Sequence, residues 1–379
     1  MKKLGIYIHI PFCRQKCNYC DFYSMKWNDE SEKKYIKALT NEIKTQGKEL
    51  KDNYIANTIY FGGGTPTIIK HENIKEIIDS ICETMEIDKC AEISIEANPN
   101  TLTLENLNAY RDMGINRLSI GIQSLNDEIL RQIGRIHNSA EALDAIDRAL
   151  ESGFENINAD VMFNIPGQNV CDIEETITKI INRGVKHISF YSLKLEKGTP
   201  MYNMEKINKI IMPDEESERE MYYAGRKIME SNNMFQYEIS NFSNRGYECR
   251  HNLKYWEQEE YVGFGPSAHS FINSIRYSNP PDLKSYCENG LSNNYERIIH
   301  EKLSDQDRMF EYIMLRLRLT EGLNLDEFNN KFGISFEKAF KVQIERMINN
   351  LLMEYSGRNV RLTEKGMDIS NYVIEEFLP

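Results

Sequence analysis

Six times in its first 200 residues the chain passes from a short strand-like segment into an amphipathic helical one. The strand segments are 4–10, 58–61, 91–97, 117–123, 157–163 and 187–193. Helical periodicity fills the intervals, at 29–50, 73–85, 103–113, 126–133, 140–152 and 172–183. The first helix carries Tyr35, Ile36, Leu39 and Ile43 on one face, with Asn28 or Asp29 as its N-cap. Strand–helix repeats at this spacing imply parallel strands joined by right-handed crossovers. The strand faces then choose between an open doubly wound sheet and a barrel. Ile6, Ile8 and Ile10 alternate with Tyr7 and His9; Ile93 and Ile95 with Ser94 and Glu96; Leu118, Ile120 and Ile122 with Ser119, Gly121 and Gln123; Ile157, Ala159 and Val161 with Asn158 and Asp160. A parallel strand covered by helices on both sides is apolar on both. A barrel wall is apolar toward the helices and can be polar toward a lumen. The expected fold class is therefore α/β, a partial (β/α)6 barrel whose polar lumen carries Glu96, Gln123 and Asp160 near strand C-termini, where sites on such folds gather.

The rhythm changes after Thr199-Pro200. A charged helix over 214–231 and one more strand over 236–240 complete a core domain of residues 1–240. Residues 241–290 read as an irregular connecting segment rich in Tyr, Gly, Asn and Pro, and residues 291–379 as a mostly helical C-terminal domain with room for a small hairpin near Val360–Thr363. No apolar run approaches the roughly 20 residues of a membrane helix, and no leader pattern is present, so the expectation is a cytoplasmic protein without a transmembrane segment. The net charge of −12 with no basic stripe argues against nucleic acid as a partner. An anionic small molecule would have to be held by a few local cations.

Of eight cysteines, Cys13, Cys17 and Cys20 fall on one loop directly after the first strand. Structural zinc normally takes four protein ligands in two separated pairs, and a second pair is absent, although His9 leaves that reading open, as does a set of unrelated buried thiols. Three thiolates suit a 4Fe-4S cluster with one iron lacking a cysteine and free to bind a substrate or cofactor.

Cys-x3-Cys-x2-Cys after the first strand of such a repeat resembles the radical S-adenosylmethionine (SAM) superfamily. The resemblance implies SAM chelated at the open iron and reductive cleavage of its sulfonium to a 5′-deoxyadenosyl radical, with the cofactors carrying the hard chemistry. Tyr7-Ile8-His9-Ile10-Pro11-Phe12-Cys13, Phe61-Gly62-Gly63-Gly64-Thr65-Pro66-Thr67, Glu96-Ala97-Asn98-Pro99, Ser119-Ile120-Gly121-Ile122-Gln123 and Asp160-Val161-Met162-Phe163-Asn164-Ile165-Pro166-Gly167 resemble one branch of it. That branch contains oxygen-independent coproporphyrinogen III oxidase and the heme chaperone HemW, and the resemblance spans nearly the whole chain. It implies that Gly63, Gly64 and Thr65 meet the methionyl amino group of SAM, that Glu96, Gln123, Arg135 and Asp160 bind SAM, and that Tyr7 and Tyr19 contact it, Tyr19 beside the adenine.

Within the branch, the oxidase has a further cysteine two residues after the third and a longer segment before the first strand. This sequence has Phe22 at that position, and Cys13 lies twelve residues after Met1. His251-Asn252-Leu253-Lys254-Tyr255-Trp256 matches the His-Asn-x-x-Tyr-Trp segment of the heme chaperone family. The resemblance thus implies a heme-binding protein that transfers heme to apo-hemoproteins, such as membrane-bound respiratory enzymes, with His251 as a heme ligand. Taken without the family, His251 is a hydrogen-bonded loop histidine and Trp256 a core anchor. Cys249 and His269 are rival ligands. The alternative is the oxidase itself, forming vinyls from propionates, with Arg316 and Arg318 as candidate cations for its anionic substrate.

Overall fold

The computed structural model describes residues 1–292 and 294–378. Strands β1 (Lys2–Ile10), β2 (Tyr54–Gly63), β3 (Glu86–Ala97), β4 (Arg117–Gln123), β5 (Asn156–Phe163) and β6 (His187–Ser192) lie side by side in chain order and all parallel. The connections are α1 (Asp29–Leu50), α2 (His71–Thr84), α3 (Leu104–Asp112), the pair α4 (Asp127–Gln132) and α5 (Ser139–Glu151), and α6 (Val170–Ile181). Short polar residues start these helices where the chain leaves a strand. Asn28 caps α1, and Asn138 with Glu141 and Asn169 with Asp172 close reciprocal capping boxes on α5 and α6. The apolar strand faces bury completely under the helices, with Ile6, Ile8, Ile59, Ile95, Leu118 and Ile120 at 0% exposure. This is the α/β architecture that the alternation predicts.

The sheet is larger than six strands. After α7 (Pro200–Lys206) and α8 (Glu215–Ser231), β7 (Phe235–Glu238) and β8 (Asn241–Ser243) form an antiparallel hairpin beside β6. The stretch read from sequence as irregular holds α9 (Arg250–Trp256), β9 (Tyr261–Phe264), β10 (His269–Ile272), β11 (Ile275–Ser278) and α10 (Leu283–Leu291). β9 lies parallel to β1, and β10, β11 and β12 (Ile298–Lys302) extend it antiparallel. The order is β12-β11-β10-β9-β1-β2-β3-β4-β5-β6-β8-β7, one twelve-stranded sheet that does not close on itself. Four-residue strands are too short to show a period in sequence. The Asn273-Ser274 turn, with both residues at positive φ, is the two-residue hairpin that joins β10 to β11.

The remaining residues form a second core. Helices α11 (Asp305–Arg316), α12 (Leu325–Phe332), α13 (Phe336–Ala339) and α14 (Lys341–Asn349) surround Phe328, Phe336 and Met347, and a small sheet of β13 (Leu323–Asn324), β14 (Met353–Ser356) and β15 (Asn359–Leu362) closes it. This unit meets the first through Thr320 N–H donating to the Tyr237 carbonyl (3.0 Å) and Tyr223 Oη donating to Asp368 (2.5 Å). No described helix is long and apolar enough to cross a membrane.

Because Ile120 packs on the closed face of the central strand, Ile120→Ala should cost about 2–5 kcal/mol, lowering the urea midpoint without changing the slope. Ile207→Ala, at a site 72% exposed, should stay within about 0.5 kcal/mol of wild type.

Candidate functional site

Register places the polar strand faces in rows. Tyr7 lies opposite Tyr60, Tyr60 opposite Ser94, Glu96 opposite Ser119, Ser119 opposite Asn158, and Gly121 opposite Asp160. These side chains find one another in the lumen. Tyr60 Oη donates to Glu96 Oε1 (2.8 Å), and Gly63 N–H donates to Glu96 Oε2 (3.3 Å). Asn158 Nδ2 donates to Asp160 Oδ1 (2.7 Å), and Tyr191 Oη to Gln123 Oε1 (3.0 Å). Burial, then the charge of Asp160, pushes the Glu96 carboxyl up to about 7. Burial also raises the Asp160 carboxyl and the Tyr7 hydroxyl. Two buried carboxyls raised together form a site short of positive charge.

The cysteine loop folds over the C-terminal ends of these strands. Phe12–Cys13 pairs in parallel with Met25–Lys26, and the loop between them is tied down by Asn18, whose N–H meets the Ile133 carbonyl and whose Nδ2 meets that of Gln132 (2.9 Å each). Thr65 Oγ1 donates to Cys13 Sγ (3.7 Å) and Arg135 Nη1 to Cys17 Sγ (3.6 Å). Burial raises the Cys13 thiol and carries the Cys20 thiol up to about 11, with Cys17 adding to both. His9, left open as a fourth zinc ligand, spends its ring inside the fold: Nε2 is 2.9 Å from the Tyr23 carbonyl and Nδ1 3.1 Å from Tyr7 Oη. Among the described residues no three His, Cys, Asp or Glu side chains converge on one metal ion. Three thiols on one short loop suit a cluster in which each cysteine binds its own iron.

The glycine run meets this loop directly. A Cβ on Gly64 would stand 2.6 Å from the Phe12 carbonyl oxygen and 3.0 Å from Cys13 Sγ, and Gly63 has φ of +113° with its open side against the His9 ring. Tyr19 packs with Met162, Leu193 and Met201 at the lumen mouth. Gln123 sits at positive φ where the β4–β5 register slips. Arg135 is buried with Nε lacking any partner.

Sequence reasoning passed over Asn98. Its Nδ2 donates to Thr65 Oγ1 (2.9 Å) while its Oδ1 accepts from Arg135 Nη2 (2.5 Å), so one amide holds both groups that touch the cysteine sulfurs. The signal was its place: an Asn before Pro99, held extended immediately beyond a strand end. Tyr60 was also missed, although it stands on the polar side of β2.

His251 lies elsewhere in the same lumen, 1% exposed and stacked on Tyr60 at 5.1 Å. Thr58 Oγ1 is 2.8 Å from its Nδ1 and Tyr255 Oη 2.9 Å from its Nε2, so both ring nitrogens are engaged. Burial, then Lys254, lowers its pKa to about 3. Glu92 accepts the N–H groups of Arg250 and His251 (3.0 Å each) and lies 3.7 Å from the sulfur of buried Cys249. His269 is exposed and stacks on His300 at 5.3 Å. Arg316 is buried between Glu257 (3.7 Å) and Glu327 (3.6 Å), whereas Arg318 donates to the Asn371 side chain (3.2 Å).

The radical SAM superfamily profile matches residues 7–180, and that of the HemN C-terminal domain matches residues 303–369. The heme chaperone HemW of Lactococcus lactis is 34% identical over 377 residues, covering 100% of this chain and 98% of that protein. The heme chaperone HemW of Bacillus subtilis is 35% identical over 378 residues, covering 98% of each. Among solved structures, coproporphyrinogen III oxidase (HemN) from Escherichia coli superposes with a TM-score of 0.86 at 20% identity, covering 99% of this chain and 90% of that one, a likeness of fold. Radical SAM membership implies a 4Fe-4S cluster and SAM. With a third of its residues shared along its whole length, the chain belongs to the heme chaperone HemW family of the radical SAM superfamily.

Proposed function

We propose that this chain binds heme and passes it to apo-hemoproteins in the cytoplasm or at the membrane face, respiratory enzymes among them, and that it does so as a carrier of a SAM-bearing 4Fe-4S cluster. The observation that carries the cluster is the pairing of the cysteine loop with donors already aimed at its sulfurs, Thr65 on Cys13 and Arg135 on Cys17. The full-length likeness to heme chaperones supports heme as cargo. Coproporphyrinogen oxidation is the weaker reading. The solved oxidase is 20% identical, and Phe22, 65% exposed, occupies the place of the oxidase's further cysteine.

In this reading Cys13, Cys17 and Cys20 hold three irons. When bound and reduced, such a cluster would supply the electron for cleaving the SAM sulfonium. The residues of the chain bind and orient. Glu96, with the backbone at Gly63, Gly64 and Thr65, takes the SAM ammonium, for which an ionised carboxylate is needed. Arg135, whose buried Nε has no partner, would take the SAM carboxylate. Gln123 and Asp160 would receive the ribose hydroxyls, and Tyr7 and Tyr19 would contact the ligand, Tyr19 beside the adenine. Bound SAM thus returns to the lumen the positive charge that Glu96 and Asp160 lack. For the heme iron, His251 can serve only after Thr58 and Tyr255 release its ring, while the exposed His269 is accessible as it stands.

Cys17→Ser should abolish the brown chromophore after anaerobic reconstitution; a full, SAM-responsive cluster in that variant would overturn the ligand set. SAM affinity should fall severalfold from about pH 8 to about pH 6, as Glu96 takes up its proton near 7, and Glu96→Gln should flatten that profile. Without SAM the same group acts on stability with a fixed sign. Its folded pKa is raised, so its contribution is full below about 4.5 and is lost as pH rises through about 7. The melting-point gain of Glu96→Gln over wild type should therefore be larger at pH 8 than at pH 5. Absorbance titration should show stoichiometric heme binding, and coproporphyrinogen supplied with SAM and reductant should give no protoporphyrinogen; turnover would restore the oxidase reading. His251→Ala and His269→Ala in the same titration identify the axial ligand by which variant loses the ligand-field signature.

A further inference from the structure

Strand β8 pairs with β6 over His187–Ser189, and Phe190 N–H donates to the Ser240 carbonyl (2.7 Å), so only Tyr191 and Ser192 at the end of β6 extend beyond that pairing. A cleft of about 760 Å³ opens there, between this edge, α8 and the C-terminal domain, within the roughly 300–1,000 Å³ typical of small-molecule sites. Tyr191, Tyr222 and Trp256 give it aromatic walls. Tyr191 also donates to Gln123, so the cleft adjoins the lumen across a single side chain.

The charges around the cleft are unevenly matched. Asp368 is engaged by Arg219 (3.4 Å) and Tyr223 Oη, and Glu218 accepts from Ser192 Oγ (2.6 Å). Glu215 is exposed at the rim. Arg318 donates to Asn371 Oδ1 alone, with no carboxylate within 4.0 Å among the described residues. Burial lowers its pKa, and no anion offsets that cost. Lys194, exposed at the same cleft, has no ion pair among the described residues. A partly desolvated guanidinium facing aromatic walls fits a flat aromatic ligand bearing carboxylates.

We propose that this cleft is the porphyrin site: the macrocycle lies against Tyr191, Tyr222 and Trp256, and a propionate is held by Arg318 with Lys194 at the rim. The assignment rests on the heme reading above and gives it a place. It needs no iron ligand, because ring contacts and carboxylate capture suffice for an iron-free porphyrin.

The test uses the chain's two tryptophans. In a Trp27→Phe background, protoporphyrin IX should quench Trp256 emission saturably. Arg318→Gln should weaken that binding about tenfold or more, and Arg318→Lys should restore part of it. Protoporphyrin IX dimethyl ester should bind Arg318→Gln and the background protein equally. Unchanged affinity in Arg318→Gln overturns the cleft, as does an equal loss for the dimethyl ester, which would mark a structural role. If wild type binds hemin by absorbance while Trp256 is not quenched, heme binding stands and this location fails. If it binds neither hemin nor protoporphyrin, the heme reading itself falls.

Discussion

A fully buried arginine sets the terms for the interior. Arg117, 2% exposed, opens β4 at the base of the lumen, near Glu92, Cys249, Tyr60 and Tyr237. A guanidinium far from water must be surrounded by acceptors and negative charge, or it destabilises the fold by several kcal/mol. The polar strand faces supply that surrounding. Glu92 stands on the Arg117 side of the lumen and also accepts the first N–H groups of α9, so the charge that balances Arg117 also anchors the His251 segment. Asn158 links Asp160 to His187, and His187 passes on to Tyr237. The lumen is thus a network whose members hold one another in place, and such networks specify a single arrangement only when nearly every member is satisfied.

That network grades along the strands. At the base, Arg117 lies within the field of Glu92, although its buried Nε has no hydrogen-bond partner among the described residues. Toward the C-terminal ends, Glu96 and Asp160 face each other's charge and are raised by burial. Arg135, which makes no ion pair with either carboxylate, is held by Asn98 and the Gly121 carbonyl and donates to Cys17. In the reading proposed above, a zwitterionic ligand with a sulfonium and an ammonium would relieve the excess of carboxylate at that end, and Arg135 would take its carboxylate. The gradient explains why one polar strand face both stabilises the barrel and builds a site.

The parallel core was legible because its signal is long and redundant. Residues 117–123 were read as a strand and form β4, and the helix at 29–50 is α1, because alternation and caps agree there. The outer strands were not legible. β9 through β12 are four or five residues long and gain stability from pairing with β1 and one another, which no local window records. The grouping of residues at the strand ends was legible where particular atoms recur at fixed places: the cysteine loop, Glu96 and Asp160 lie on the polar strand faces and the loop beside them. Asn98 was not, because an asparagine that orients other side chains has no spacing of its own. His251 was read for its chemistry as an imidazole, whereas Thr58 and Tyr60, which hold one nitrogen and one face of its ring, come from a distant strand; only Tyr255, one helical turn on in α9, is local.

The placement of His251 bears on how the two ends of the molecule communicate. Its ring stacks on Tyr60, which donates to Glu96, so a single aromatic residue stands between the α9 segment and the carboxylate end of the lumen. Trp256, at the other end of α9, lines the cleft beside the C-terminal domain. A seven-residue helix is effectively rigid over that length, so a shift at Glu96 that moves Tyr60 has a direct mechanical route to the cleft. Tyr191 provides a second route through Gln123. Were ligands in the lumen and the cleft to couple through these contacts, each would alter the other's affinity by the same factor. A carrier that must both retain and release its cargo can use such coupling without any reaction at the cargo itself.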